Sequence, residues 1–313
     1  MKMKNIILIS LFISVLFASC IVQKDDSFSP LFNGKNLDNW TLDEDGGFKV
    51  IKDELFTGSF GESSNLFTKE WYCNYVLRLE YMLSHKGNSG VLIRCDPQAP
   101  WETGVEVQLL APWTPRRDDL HCTGSLYGHV AVTNRPNEAT EIWHKMEIKC
   151  DRKTIRVSVD DTITTLANID SVPGLGGKLL CGAIGLQVNH ADIEGQYAKF
   201  RNIHIMDLDS DPEYVSGGFY ENDTRIRRQA HAAAISLGAI MIEPLSIMMS
   251  QDNPVAKSSS RQVLFDIAAR ATSPQTAEFF KNDIAVALKN SAENTSSEVT
   301  KNYLEWLSGM IIY

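Results

Sequence analysis

The hydrophobic pattern changes period once, near residue 207, and that change limits the chain to two architectures in series. From Leu31 to about Asp207 the apolar residues alternate with period two. "YVLRLEYML" (75–83), "GVLIRC" (90–95), "VEVQLL" (105–110), "TIRVSVD" (154–160) and "AIGLQV" (183–188) all have the pattern of half-buried strands. Turn residues punctuate these runs in "EDGG" (44–47), "KGNSG" (86–90), "VDD" (159–161) and "PGLGG" (173–177). Many short strands without amphipathic helices between them exclude a βαβ sheet. They predict a mainly β fold, a sandwich or jelly roll.

Beyond "DLDSDPEYVSGG" (207–218), whose Pro, Gly and acidic residues have the character of an exposed linker, the period becomes helical. Asn222 and Asp223 offer caps to a segment rich in Ala, Ile and Met. Further helices are expected from "SSSRQVLFDIAARA" (258–271), "SPQTAEFFKNDIAVALKNSA" (273–292) and "SSEVTKNYLEWLSGMIIY" (296–313). Ser273 and Pro274 form an N-cap and first-turn pair. Consecutive helices with short loops make a small all-α domain, either a bundle or a HEAT-like stack. The expected boundaries are 30–208 for the sandwich and 209–313 for the helices.

At the other end, Lys2 and Lys4 precede an apolar run from Ile6 to Phe17, shorter than a bilayer span and placed like a secretory h-region. The run ends in "LFASC" (16–20), which resembles a bacterial lipobox. The resemblance implies a signal peptide over 1–19, lipidation at Cys20, a polar tether over 20–29 and a lipid-anchored place in the bacterial cell envelope. Loss of Lys2 and Lys4 moves the net charge from −9 to about −11, which argues against a nucleic-acid partner. Past Cys20 no apolar stretch reads as a membrane helix. Cys73, Cys95, Cys122, Cys150 and Cys181 are spread widely with no CxxC pair. That spacing excludes a zinc ribbon or dense disulfide frame and leaves small core residues, of which one pair could oxidise.

Strand parity offers a site. Asn88 and Arg94 lie opposite Val91 and Ile93; Glu106 and Gln108 lie opposite Val105 and Val107; Gln187 lies opposite Leu186 and Val188. On adjacent strands these five polar side chains would meet, and amide and guanidinium groups suit the hydroxyls of a sugar. Trp101, Trp113 and Tyr127 in neighbouring loops can stack on a pyranose. The other reading of the same pattern is the solvated outer face of any antiparallel sheet. No glycine-rich phosphate loop, GxSxG elbow or HExxH occurs. Asp118, Asp119 and His121 in "DDLH" could hold a divalent metal or be salt-bridged surface.

Six ordered motifs carry a resemblance: "LFNGKNLDNW" (31–40), "GNSGVLIR" (87–94), "VEVQLL" (105–110), "HCTGSLYG" (121–128), "IWHKMEIKC" (142–150) and "GAIGLQVNH…AKFRNIHI" (182–205). Together they are similar to the motifs of the 3-keto-disaccharide hydrolase domain family, over roughly residues 30–208. The resemblance implies a concanavalin-like jelly roll of two antiparallel sheets, with an oligosaccharide or glycoside handled on the concave face. Carried over position by position, the polar motif members are Asn88, Ser89, Arg94, Glu106, Gln108, Tyr127, Gln187 and His190. The chain departs from the family at Asp53–Glu54, where an Asp-Gly turn is common, and in the longer insert "VNHADIEGQYAK" (188–199) around His190. The helical tail lies outside the resemblance.

The implied chemistry needs one base. A ketone at C3 of a glucosyl unit acidifies the C2 proton; its removal allows the C1–O bond to leave, and water then adds back. Paired carboxylates are not required. Glu106, a carboxylate on a strand inside a motif, is the expected acid–base residue. His121 is its rival, and Asp118 or Asp119 could supply a second acid. Asn88, Arg94, Gln108, Trp113, Tyr127, Gln187 and His190 are expected to bind sugar. The alternative is a carbohydrate-binding module without turnover, with the helical domain docking a protein partner.

Overall fold

The structure, a computed structural model, describes residues 27–43, 47–57, 65–113, 117–188 and 193–312. Among the described residues are thirteen strands: β1 (Ser29–Pro30), β2 (Trp40–Leu42), β3 (Phe48–Ile51), β4 (Glu54–Thr57), β5 (Asn65–Thr68), β6 (Tyr75–Leu83), β7 (Asn88–Cys95), β8 (Val105–Leu110), β9 (His144–Asp151), β10 (Thr154–Val159), β11 (Thr162–Asn168), β12 (Ala183–Gln187) and β13 (Ala198–Asp207). They form two antiparallel sheets. One has eight strands in the order β11-β10-β9-β6-β13-β4-β3, with β1 also on β13; the other has five in the order β2-β5-β12-β7-β8. This is the expected jelly-roll sandwich. Pairing of Ser29 with Ile205 starts it inside the stretch read as a tether.

Alternation builds the core. Leu77, Leu79 and Tyr81 of β6, Met146 and Ile148 of β9 and Val157 of β10 face Val91 and Ile93 of β7, Val107 and Leu109 of β8 and Leu186 of β12 in one apolar cluster. Each such side chain removed from water contributes about 1.5–3 kcal/mol, which ties register to stability, since a one-residue slip would turn the whole set outward. Cys73 and Cys181 form a disulfide. Cys95, Cys122 and Cys150 are free and buried, as small core residues.

Among the described residues, six α-helices follow the sandwich: α2 (Pro212–Gly218), α3 (Thr224–Leu237), α4 (Ile242–Met249), α5 (Pro254–Ala271), α6 (Glu278–Asn294) and α7 (Glu298–Ile312); a single-turn helix, α1 (Pro100–Thr103), lies within the sandwich. Asp223 caps α3 as expected, accepting from the Arg225 amide. Ser273–Pro274 does not start a helix. Its turn is closed by Thr276, whose Oγ1 donates to the Arg270 carbonyl at 2.8 Å, and α6 begins at Glu278. The Asx–Pro start falls instead at Asn253–Pro254, where Asn253 Oδ1 accepts from the Val255 and Ala256 amides. Thr224–Met249 is long and apolar enough to cross a membrane by composition, contrary to the sequence reading. A left-handed Gly238 (φ 62°) breaks it, and Ala230, Ala234, Met241, Ile242 and Leu245 pack into the helical core.

The expected linker is structured. Asp207 caps a single 3₁₀ turn (Leu208–Ser210), and Asp211 caps α2 with Pro212 in its first turn. Asp209 accepts from the Asn74 backbone at 3.1 Å and side chain at 2.9 Å, and Tyr214 Oη donates to Asp151 at 2.8 Å. Ion pairs join Arg152 to Glu221, Lys153 to Asp223 and Arg225 to Asp170. The sandwich and helical cores are separate apolar clusters. The two parts are therefore docked through polar groups instead of strung on a free linker.

Candidate active site

The outer face of the five-stranded sheet is built by register. Phe67 of β5 lies opposite Gly185 of β12, Gly185 opposite Leu92 of β7, and Leu92 opposite Glu106 of β8. One step along, Asn65 pairs with Gln187, and Gly90 pairs with Gln108. The first row closes into a small buried cluster of Phe67, Leu92, Cys95 and Ala183. The second row stays polar. The boundary between the rows is where Glu106 sits.

Its carboxylate lies over Gly90. A Cβ at Gly90 would stand 2.2 Å from Glu106 Oε1 and 2.9 Å from its Cδ, so glycine in this strand provides the space the acid occupies. With the amide of Gln108 turned, its nitrogen donates to Glu106 Oε1 at 3.1 Å and to the Ser89 carbonyl at 2.9 Å, while its oxygen lies 3.3 Å from Asn88 Oδ1 and accepts from Asn88 once that amide turns as well. Ser89 Oγ in turn donates to the Gln187 carbonyl at 2.6 Å. Burial pushes the Glu106 carboxyl up from 4.5 to about 7. Desolvation acts on it without an offsetting charge, so near neutral pH this acid is poised between its two protonation states.

β8 is a sheet edge, and residues 122–130 cover it. The Gln108 amide donates to Ser125 O at 3.1 Å, the Gly124 amide to Gln108 O at 2.9 Å and the Tyr127 amide to Glu106 O at 2.9 Å. This irregular extra strand sets Tyr127 beside Glu106. The result is a cleft of about 410 Å³, with Asn88, Leu92, Glu106, Gln108 and Gln187 on the floor and Trp101, Tyr127, His129 and Lys178 on the walls. Its size falls within the range of small-molecule sites, about 300–1,000 Å³. Lys178 Nζ donates to the carbonyls of Trp101 at 2.7 Å and Glu102 at 2.9 Å, closing the end of α1. Burial lowers the Lys178 ammonium from its ordinary value.

Asn88, Glu106, Gln108, Tyr127 and Gln187 are thus brought together. Other expected residues go elsewhere. Arg94 takes a left-handed conformation (φ 52°), which breaks the strand parity on which its placement rested. Its guanidinium turns inward and donates to Cys73 O and Arg152 O, each at 2.6 Å, and to Asn74 Oδ1 at 3.3 Å. His121 stands behind Tyr127, with ring centroids 4.9 Å apart in an edge-to-face contact. Its Nδ1 lies 2.7 Å from Asp118 Oδ1, and that hydrogen bond holds the Asp118 carboxyl below the usual range. Asp119 pairs with Arg135 at 2.7 Å. Among the described residues no three His, Cys, Asp or Glu side chains group as a metal site, and Asp118, Asp119 and His121 do not converge as one. Trp113 is exposed in the turn after β8, away from the cleft lining. His190 lies outside the described residues. His129 and Lys178 escaped the sequence reading because strand parity places no loop residue. Their only signals were glycines: Gly128 before His129 and the turn 174–177 before Lys178.

Residues 27–206 match the 3-keto-alpha-glucoside-1,2-lyase-like domain, more than half of the chain. The chain belongs to that family. Among solved structures, this lyase-like domain is similar to a protein of Parabacteroides distasonis named "putative glycosyl hydrolase", 25% identical, with TM-score 0.52 over 58% of this chain and 99% of that one. A second protein of the same name and organism has 19% identity and TM-score 0.52, over 60% and 98% of the respective chains. No curated protein matches the chain. The lyase-like domain has a glycosidase-like fold, and the helices after residue 206 lie outside the match.

Proposed function

We propose that the cleft cleaves 3-keto-α-glucosides by elimination, with Glu106 as the base. The observation that carries this reading is the carboxylate count. Among the described residues lining the cleft, Glu106 is the one acid. Hydrolysis by paired carboxylates needs two, roughly 5–9.5 Å apart. Asp118 and Asp119, the candidates for a second, are engaged by His121 and Arg135. A single half-buried base suits a substrate whose own ketone does the activating. Glu106 takes the C2 proton, and the C2–H electron pair passes into an enolate on O3 that the amides of Asn88 and Gln187 stabilise. The enolate then reforms the C3 carbonyl as the C1–C2 double bond forms and the C1–O bond breaks. The leaving oxygen takes a proton from His129 or Tyr127 on the facing wall. Stopping there is a lyase reaction; addition of water across C1–C2 makes it net hydrolysis. A module that only binds sugar would have no use for a desolvated carboxylate held over a glycine, so turnover is the better reading.

Export and lipidation at Cys20 complete the proposal. The Cys73–Cys181 disulfide is consistent with an oxidising compartment, and residues 1–26 lie outside the described residues. The test is incubation of the purified protein with p-nitrophenyl 3-keto-α-glucoside and with the ordinary α-glucoside in D₂O. Nitrophenol release from the keto sugar alone, with the original C2 hydrogen lost in the unsaturated product or replaced by deuterium in the hydrated one, is the expected result. Equal cleavage of both glycosides, or cleavage with the original C2 hydrogen retained, refutes the mechanism.

A further inference from the structure

One wall of the cleft belongs neither to the sheet nor to the loop that covers β8. Residues 169–181 connect β11 to β12, and three of them act on the cleft. Lys178 lines it and holds the Trp101 and Glu102 carbonyls, while the Leu179 amide donates to Thr103 O at 3.0 Å. Gly174, left-handed at φ 83°, backs the His129 ring so closely that a Cβ there would stand 3.0 Å from its Cε1. Trp101 and His129, two of the rings on the cleft walls, therefore both abut this segment.

What holds the segment comes from two sides. Ile169, Leu175 and Leu180 drop into the sandwich core. Its polar backbone is gripped by α3 of the helical domain. Arg225 Nη1 donates to Gly176 O at 2.9 Å, and its Nη2 reaches both Asp170 oxygens at 2.8 and 3.2 Å. Gln229, one turn further along the same helix face, donates to Leu180 O at 2.9 Å and lies 3.2 Å from Cys181 Sγ. Asp223, the cap of α3, orients Arg225 from behind at 3.1 Å. A planar guanidinium that bridges a carbonyl and a carboxylate fixes both position and angle.

We infer that the helical domain is a positioning domain for the saccharide cleft. Arg225 and Gln229 touch no cleft residue; they hold 169–181 so that Trp101 and His129 stand at the separation a sugar requires. The segment itself is a matter of geometry, while the consequence for turnover rests on the keto-glucoside reading above. The full-length protein and its Arg225→Ala, Gln229→Ala and Arg225→Lys variants test it by two measurements. In hydrogen exchange, loss of the grip speeds exchange in peptide 169–181 and, through Lys178, in peptide 98–104. In steady-state kinetics on p-nitrophenyl 3-keto-α-glucoside, KM rises about 2- to 30-fold, the range for residues that couple to a site without touching it. The midpoint of the pH profile, which reports Glu106, stays as in the wild type. Arg225→Lys keeps the charge toward Asp170 but loses the fork, and falls between. Faster exchange confined to 169–181 with unchanged KM overturns the inference, leaving a purely structural contact. If the wild type does not turn over the keto-glucoside, the functional reading fails, while exchange at 98–104 still decides whether α3 sets the cleft wall.

Discussion

Glu106→Gln keeps the shape and hydrogen-bond reach of the side chain and removes its charge. In the wild type, burial raises the carboxyl from 4.5 to about 7. The folded protein then binds a proton that the unfolded chain has released, so native stability is complete below pH 4.5 and declines as pH rises through 7. At about 1.36 kcal/mol per unit, the full loss is roughly 3 kcal/mol. The amide that replaces the carboxyl in the variant does not titrate. Urea unfolding of both proteins from pH 4 to 9 therefore gives stabilities that differ by a constant below about 4.5 and diverge by roughly 3 kcal/mol, in favour of the variant, by pH 8. Activity runs the other way. A base must be ionised, so wild-type kcat/KM climbs with pH through about 7, and at pH 8 the variant loses about 10²–10⁴-fold in kcat with little change in KM. A stability difference of the same size at pH 4 and pH 8 refutes the reasoning, because Glu106 then ionises at an ordinary value and is not desolvated.

Gly90→Ala places a methyl where the Glu106 carboxylate lies; the fold survives with a cost of about 1–3 kcal/mol, and kcat on the keto-glucoside falls while far-UV circular dichroism stays unchanged. Arg94→Met leaves two part-buried carbonyls without this donor, while Asn74 Oδ1 keeps the Arg152 amide; denaturant titration gives a loss of roughly 2–5 kcal/mol, with KM unchanged in the folded fraction. Reduction of Cys73–Cys181, or Cys73→Ser, opens a link across 108 residues and lowers stability by about 2–5 kcal/mol in a melt with and without reductant. Cys20→Ala abolishes membrane attachment in cell fractionation; unchanged attachment refutes lipidation.

Much of the sandwich was legible because its signal is local. Val105, Val107 and Leu109 alternate with Glu106 and Gln108, and alternation alone assigns one set to the core and the other to the opposite face, whatever the neighbouring strands are. The helices were legible from the change of period and from Asp223 as a cap, and the keto-sugar family from six motifs in order. Tertiary structure decided the rest, in each case because the deciding contact is remote in sequence. Arg94 has the parity of a cleft residue, yet a left-handed backbone turns it toward carbonyls at Cys73 and Arg152, and no pattern within one strand records that turn. His121 carries the chemistry expected of a base but is screened by Tyr127, while His129, eight positions on, reaches the cleft because residues 122–130 fold along the edge of β8. Lys178 is brought there by a segment gripped from α3. Glu106 combines the two levels. The sequence alone put a carboxylate on the polar face of a strand; the packing of Gly90 and Gln108 around it removed its water, and that desolvation is what raises its proton affinity into the useful range.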